Sequence, residues 1–244
     1  MVTADRAVGR RGASATSDVS PPHPLGEEVT LRVSGGAILG DLAVPSGAIG
    51  TVLFAHGSGS GRKSARNRQV ARALEEAGIA TLLLDLLTSE EAAIDEDTRR
   101  YRFDIPRLSD RVIAGIDALS AWPGTAGRPV GLYGASTGGA AALIAAAARP
   151  TPVRAAVLRG ARSDLAGPAV GRVRAPTLFL VGEFDPEIRR LNEDTRSEMS
   201  AESELIVVPG ATHLFEEPGA LEAVALHATA WYRRYLAASS PGRT

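Results

Sequence analysis

A serine, an acid and a histidine stand in the chain in the order Ser136, Asp185, His213, and each follows a short apolar run. Acyl transfer by serine needs these three types: an oxygen nucleophile, an imidazole to take its proton and a carboxylate to orient the imidazole. Ser136 lies in Pro129-Val130-Gly131-Leu132-Tyr133-Gly134-Ala135-Ser136-Thr137-Gly138-Gly139-Ala140, where Gly134 and Gly138 flank it as G-x-S-x-G. The context carries more weight than the motif. Val130, Leu132 and Tyr133 read as a buried strand and the Ala-rich run 140–148 as a helix, so Ser136 sits on the sharp turn between them, a nucleophile elbow. Small residues at Gly138, Gly139, Ala141 and Ala142 let that helix pass close to the strand.

The partners follow two later strands. Leu178 to Val181 is an apolar run, and the turn Gly182-Glu183-Phe184-Asp185-Pro186 places Asp185 at its carboxyl end; Glu183, nearer the strand end, and Asp164, after the preceding strand, are rival acids. Leu205 to Val208 is the next run, and Pro209-Gly210-Ala211-Thr212-His213 sets His213 on the loop beyond it. The other histidines are poorer bases: His23 lies in the leader, His56 in the loop after its own strand and His227 within the last helix. An oxyanion hole needs backbone N–H groups. One is expected from Thr137, directly after the nucleophile, and the other from Ser58, with Gly57 as the runner-up. The same glycine-rich stretch, Gly57 to Lys63, has neither the G-x-x-x-x-G-K-[ST] nor the G-x-G-x-x-G spacing of phosphate-binding loops.

For contact with substrate the candidates are Arg62, Tyr101 and Phe103. Arg62, Lys63 and Arg66 crowd a helix start, where the macrodipole disfavours positive charge, so they either draw a carboxylate-bearing substrate to the site or form a solvated basic turn. Tyr101 and Phe103 are the aromatics of Leu86 to Pro106, read as one long irregular connection that leaves a strand at the catalytic edge and rims the entrance, or else lies free in solvent. Trp122, between a helix and a strand at the opposite edge, reads as packing.

The elements that position these residues alternate. A hairpin of Val29 to Val33 and Ile38 to Val44 about Gly35-Gly36 opens the domain, and Thr51 to Ala55 is an apolar run of the kind covered on both faces. Helix 64–76, strand 79–84, helix 108–119, strand 129–133, helix 137–148, strands 153–158 and 177–181, helix 187–199, strand 205–208 and helix 219–237 follow. This pattern predicts an α/β fold: a mostly parallel eight-stranded sheet with helices on both faces and its site at the strands' carboxyl ends. Gly160, Gly167, Pro168, Gly171 and Pro176 punctuate the stretch between Leu158 and Thr177, which predicts a loop there and no cap domain.

At 244 residues the chain fits one large domain over 27–238, with a disordered, Ala/Ser/Gly/Pro/Arg-rich leader over 1–26 and a short tail over 239–244. Arg10-Arg11 is followed by no apolar stretch of the kind an export signal needs. A net charge of −1 favours neither nucleic acid nor an anionic membrane, and the lack of cysteine excludes disulfides and thiolate chemistry. The expectation is a cytoplasmic protein with a small-molecule partner, no nucleic-acid or membrane partner, no cofactor and no metal.

His56-Gly57-Ser58-Gly59, Gly134-Ala135-Ser136-Thr137-Gly138, Asp185 and Gly210-Ala211-Thr212-His213 together make the chain resemble the α/β-hydrolase superfamily, in its dienelactone-hydrolase-like branch, from about Glu27 to Leu236. The resemblance implies hydrolysis of esters or lactones. It departs from dienelactone hydrolase itself at the nucleophile, where Ser136 stands in place of cysteine. Cleavage of a small ester or thioester is therefore expected, with a non-catalytic binding protein on the same scaffold, an acyltransferase and a peptidase as alternatives.

Overall fold

The structure, a computed structural model, describes residues 26–237. The expected leader, apart from Gly26, and the tail lie outside the described residues. β1 (Glu27–Val33) and β2 (Gly36–Ala43) form the opening antiparallel hairpin, Leu31 facing Ile38. β3 (Thr51–Ala55), β4 (Ala80–Leu84), β5 (Val130–Ala135), β6 (Val153–Arg159), β7 (Thr177–Gly182) and β8 (Ser203–Val208) complete one eight-stranded sheet in the order β1-β2-β4-β3-β5-β6-β7-β8. From β4 to β8 every pairing is parallel. Parallel strands need crossover helices, and covering both faces makes the central strands continuously apolar. β3, β4, β5 and β7 are buried at every position.

The period of two divides the sheet into two cores. Leu53, Leu82, Leu84 and Leu132 face α3 (Ile105–Ala121) and α4 (Thr137–Ala148), through Leu108, Val112, Ile116 and the alanines of α4. Val52, Phe54, Leu83 and Tyr133 face α1 (Ala65–Glu76) and α6 (Ala220–Leu236), through Val70, Leu74, Val224 and Trp231. α5 (Pro186–Glu198) follows β7. Trp122 packs against the first core, at the sheet edge away from the site. The chain leaves β3 toward β4 on one side and returns to β5 on the other, so β3 and β5 flank the topological switch point, where open α/β sheets place ligands.

Two connections differ from the sequence reading. Leu86 to Pro106 is not irregular throughout: it contains α2 (Ser89–Thr98). Thr88 Oγ1 accepts the Glu91 N–H at 3.2 Å and the Glu91 carboxylate accepts the Thr88 N–H at 2.9 Å, a reciprocal cap that satisfies two N–H groups. The apolar periodicity is weak because α2 buries only Glu91 and Asp95, both held by ion pairs, so its signal was the Thr-x-x-Glu cap. The stretch between β6 and β7 carries 3₁₀ turns over Ser163–Arg172, broken at Gly167 (φ +51°), and inserts no cap domain.

Candidate active site

Ser136 directly follows β5, at φ +50°, ψ −121°, a conformation that costs a non-glycine residue about 1–3 kcal/mol. The surroundings hold it there: its N–H donates to the Arg159 carbonyl at 3.2 Å, and its carbonyl accepts from Gly139 and Arg162, both at 3.0 Å. A Cβ on Gly138 would fall on the carbonyl oxygens of Ala55 and His56, so glycine there is what lets α4 start against β3. Thr137 is the first residue of α4, and the N–H groups of a first helical turn have no acceptor within the helix.

The β3–α1 loop lies alongside. A Cβ on Gly57 would stand 3.1 Å from that of Ser136, which puts the Gly57–Ser58 backbone against the nucleophile. His56 fixes this loop. Its Nε2 accepts the Leu86 N–H at 3.1 Å, which leaves Nδ1–H to donate to the Gly57 carbonyl at 2.9 Å. Burial pushes its pKa below the ordinary value, more than the Gly57 carbonyl and Asp85 raise it, so the imidazole is neutral and structural.

His213 Nδ1 and Asp185 Oδ2 are 2.6 Å apart, with Asp185 the more buried of the two. The rival acids are spent elsewhere: Asp164 on Arg162 at 2.8 and 2.9 Å, Glu183 on the Gly210 N–H at 2.7 Å. Gly160, at φ +53°, backs the imidazole; a Cβ there would lie 3.5 Å from His213 Nδ1 and Cε1. Gly160 follows Arg159, whose carbonyl holds Ser136, so the β6 end touches both the serine and the histidine. His227 is half-buried on α6, and His23 lies outside the described residues.

Arg62 is not where a substrate would meet it. It is buried, with its guanidinium bound to Asp41, to Glu28 at 2.7 Å and to Asp85 at 3.1 Å, and it ties the β3–α1 loop to β1, β2 and the β4 end. Lys63 and Arg68 join it on Asp41 at 3.0 and 2.7 Å, and Arg66 reaches Glu216. Burial alone would raise the Asp41 pKa; the three cations outweigh it and hold the carboxyl below its ordinary value. The crowded basic turn is an ion network centred on the buried Arg62–Asp41 pair, which charge counting along the sequence has no means of seeing. Tyr101 lies between Arg100 and Arg107, their guanidinium carbons 5.4 and 4.8 Å from its ring centre, and Phe103 is exposed.

Arg102, between them, was not among the candidates. A cavity of about 290 Å³ runs from His56–Ser60 to Leu87, Leu108 and the α2 side chains Ala92, Asp95 and Glu96, and Arg102 lines it. The signal in the sequence was the pairing of Asp95 with Arg102 across the end of a capped helix.

This geometry coincides with that of known proteins. Residues 48–228 match the family model described as an alpha/beta hydrolase domain. The crystal structure of dienelactone hydrolase from Anabaena variabilis superposes with a TM-score of 0.84 at 51% identity, covering 86% of this chain and 97% of that one. Est1E from Butyrivibrio proteoclasticus shares the fold at a TM-score of 0.71 and 14% identity, over 85% of this chain and 98% of its own. Two Mycobacterium tuberculosis proteins, from strains CDC 1551 and H37Rv and provisionally named phosphoribosyl transferases, are 47% identical over 238 residues. That match takes in 97% of this chain but 53% of theirs, so the chain spans about half the length of those relatives. No helix among the described residues is long and apolar enough to cross a membrane. With the elbow at the end of β5, the sheet order around it, and a family model and a half-identical structure covering most of its length, the chain belongs to the α/β-hydrolase superfamily, in the dienelactone-hydrolase-like family.

Proposed function

We propose that the protein is a serine hydrolase of small carboxylic esters, working through an acyl-enzyme on Ser136 with His213 as base and Asp185 as the acid that orients it. The observation that carries this reading is the Asp185–His213 hydrogen bond on loops at the edge where Ser136 is held in its strained turn. In the first half-reaction Ser136 Oγ attacks the ester carbonyl carbon while His213 Nε2 takes its proton. The carbonyl electron pair moves onto oxygen, where the Thr137 and Ser58 N–H groups donate to the charge. Collapse expels the alcohol oxygen, which takes the proton back from His213. In the second half-reaction water gives a proton to His213 and adds to the acyl carbon, and Ser136 leaves with its proton restored.

A fluorophosphonate probe tests the assignment: it labels Ser136, and Ser136→Ala loses both labelling and turnover by several orders of magnitude while keeping its fold. Labelling at another serine, or full activity in that variant, overturns it. The name of the longer mycobacterial relatives raises phosphoribosyl transfer as a second reading, while the part of their length matched here carries the hydrolase elbow. Incubation with phosphoribosyl pyrophosphate and a panel of nucleobases is expected to release no pyrophosphate.

A further inference from the structure

The cavity beside Gly57 is walled on its far side by the end of α2, and among the described residues Arg102 is its one cationic side chain. Arg102 is held in place rather than mobile: Nε donates to Asp95 Oδ2 and Nη2 to the Asp95 carbonyl, both at 2.7 Å. Asp95 in turn accepts the Tyr101 and Arg102 N–H groups at 2.7 and 2.9 Å. Nη1 makes no hydrogen bond among the described residues and lies beside the glycine loop that lines the cavity, 3.5 Å from where a Cβ on Gly59 would stand. A guanidinium pinned on one side presents its remaining N–H groups at a fixed place and angle.

Charge decides what those groups receive. The Nε–Nη2 edge, the side-on fork that best matches a carboxylate, is spent on Asp95, which also balances the positive charge. Glu96 lines the same cavity and makes no ion pair among the described residues. His56, on the near wall, is held neutral by burial. An anion entering would meet a compensated cation and a free carboxylate. Leu87, Ala92 and Leu108 supply apolar surface for the carbon skeleton.

Resting on the ester-hydrolase reading, we infer that this cavity is the specificity pocket, and that the substrate group it takes is an uncharged carbonyl, as of an amide or ketone, accepting a hydrogen bond from Arg102 Nη1. A carboxylate at the same place is disfavoured.

Three p-nitrophenyl esters of equal acyl length, ending in a carboxamide, an isopropyl group or a carboxylate, test this, together with a mirrored set bearing the groups on the alcohol. In at least one set kcat/KM falls in the order carboxamide, isopropyl, carboxylate, with the first step about tenfold, the worth of one hydrogen bond. Arg102→Met brings the carboxamide-to-isopropyl ratio to about one. Glu96→Gln, at an exposed position, raises the carboxylate ester relative to the carboxamide and serves as the second variant should Arg102→Met fold poorly. A carboxylate ranked first, three equal esters in both sets, or an unchanged ratio in a folded Arg102→Met overturns the inference. Failure of the ester-hydrolase reading looks different: no ester in either set is then turned over in a Ser136-dependent way.

Discussion

Asp185 Oδ2 meets His213 Nδ1 at 2.6 Å across 28 residues of chain, because β7 and β8 run parallel in register from Thr177 beside Ser203 to Gly182 beside Val208 and deliver their loops to one edge. Asp185→Asn keeps the volume but removes the acceptor that fixes the imidazole tautomer, so kcat is expected to fall by about 10⁴ with little loss of stability. Asp164→Asn, which only frees Arg162, is expected to stay near normal. Steady-state kinetics on the two variants decide between the acids; the reverse result reassigns the role.

Arg62→Met separates a substrate contact from a structural one. Removing a buried guanidinium that serves three carboxylates is expected to cost on the order of 2–3 kcal/mol in urea unfolding. KM for neutral and anionic esters should move by the same small factor. A selective rise in KM for anionic esters alone would restore Arg62 to the substrate path.

His56 gives the protein a pH-dependent stability of definite sign. Its folded pKa is depressed by burial, so the unfolded chain takes up a proton that the folded chain refuses. Stability is therefore whole above about pH 6.5, the ordinary histidine value, and is lost as pH falls from there toward the folded pKa. Thermal unfolding of wild type and His56→Gln at pH 7.5 and 5.5 measures it. The wild type is expected to lose more of its stability than the variant over that interval, and equal losses would show that His56 is not the group responsible.

Nothing folds over the site between β6 and β7 beyond the short 3₁₀ turns, while α2 closes a cavity of about 290 Å³ on the other side. Each acyl methylene gains about 0.8 kcal/mol only where it leaves water, so kcat/KM across p-nitrophenyl esters is expected to peak at short chains and then stop rising. No jump in rate is expected above the concentration at which the substrate forms micelles. A steady climb to long chains would point to apolar surface beyond this cavity.

The central strands were legible because a sheet covered on both faces makes them apolar along their whole length, and Thr51 to Ala55 could be read nowhere else than in such a core. The order Ser136, Asp185, His213 was legible for a related reason: in parallel α/β topology a residue just after a strand must emerge at the carboxyl edge. Sequence order and local periodicity were enough for both.

What only the tertiary structure decided depends on contacts between segments far apart in the chain. It bound Asp185 rather than Asp164 to the imidazole, and it turned Arg62 inward, since its carboxylate partners Glu28, Asp41 and Asp85 come from three separate strands or strand ends. It also set Arg102, and neither Tyr101 nor Phe103, in the cavity wall. A strand's burial is written into its own few residues, whereas the direction of a charged side chain is fixed by whichever opposite charge the folded chain brings within reach, and neither its spacing nor its neighbours in sequence record that distance.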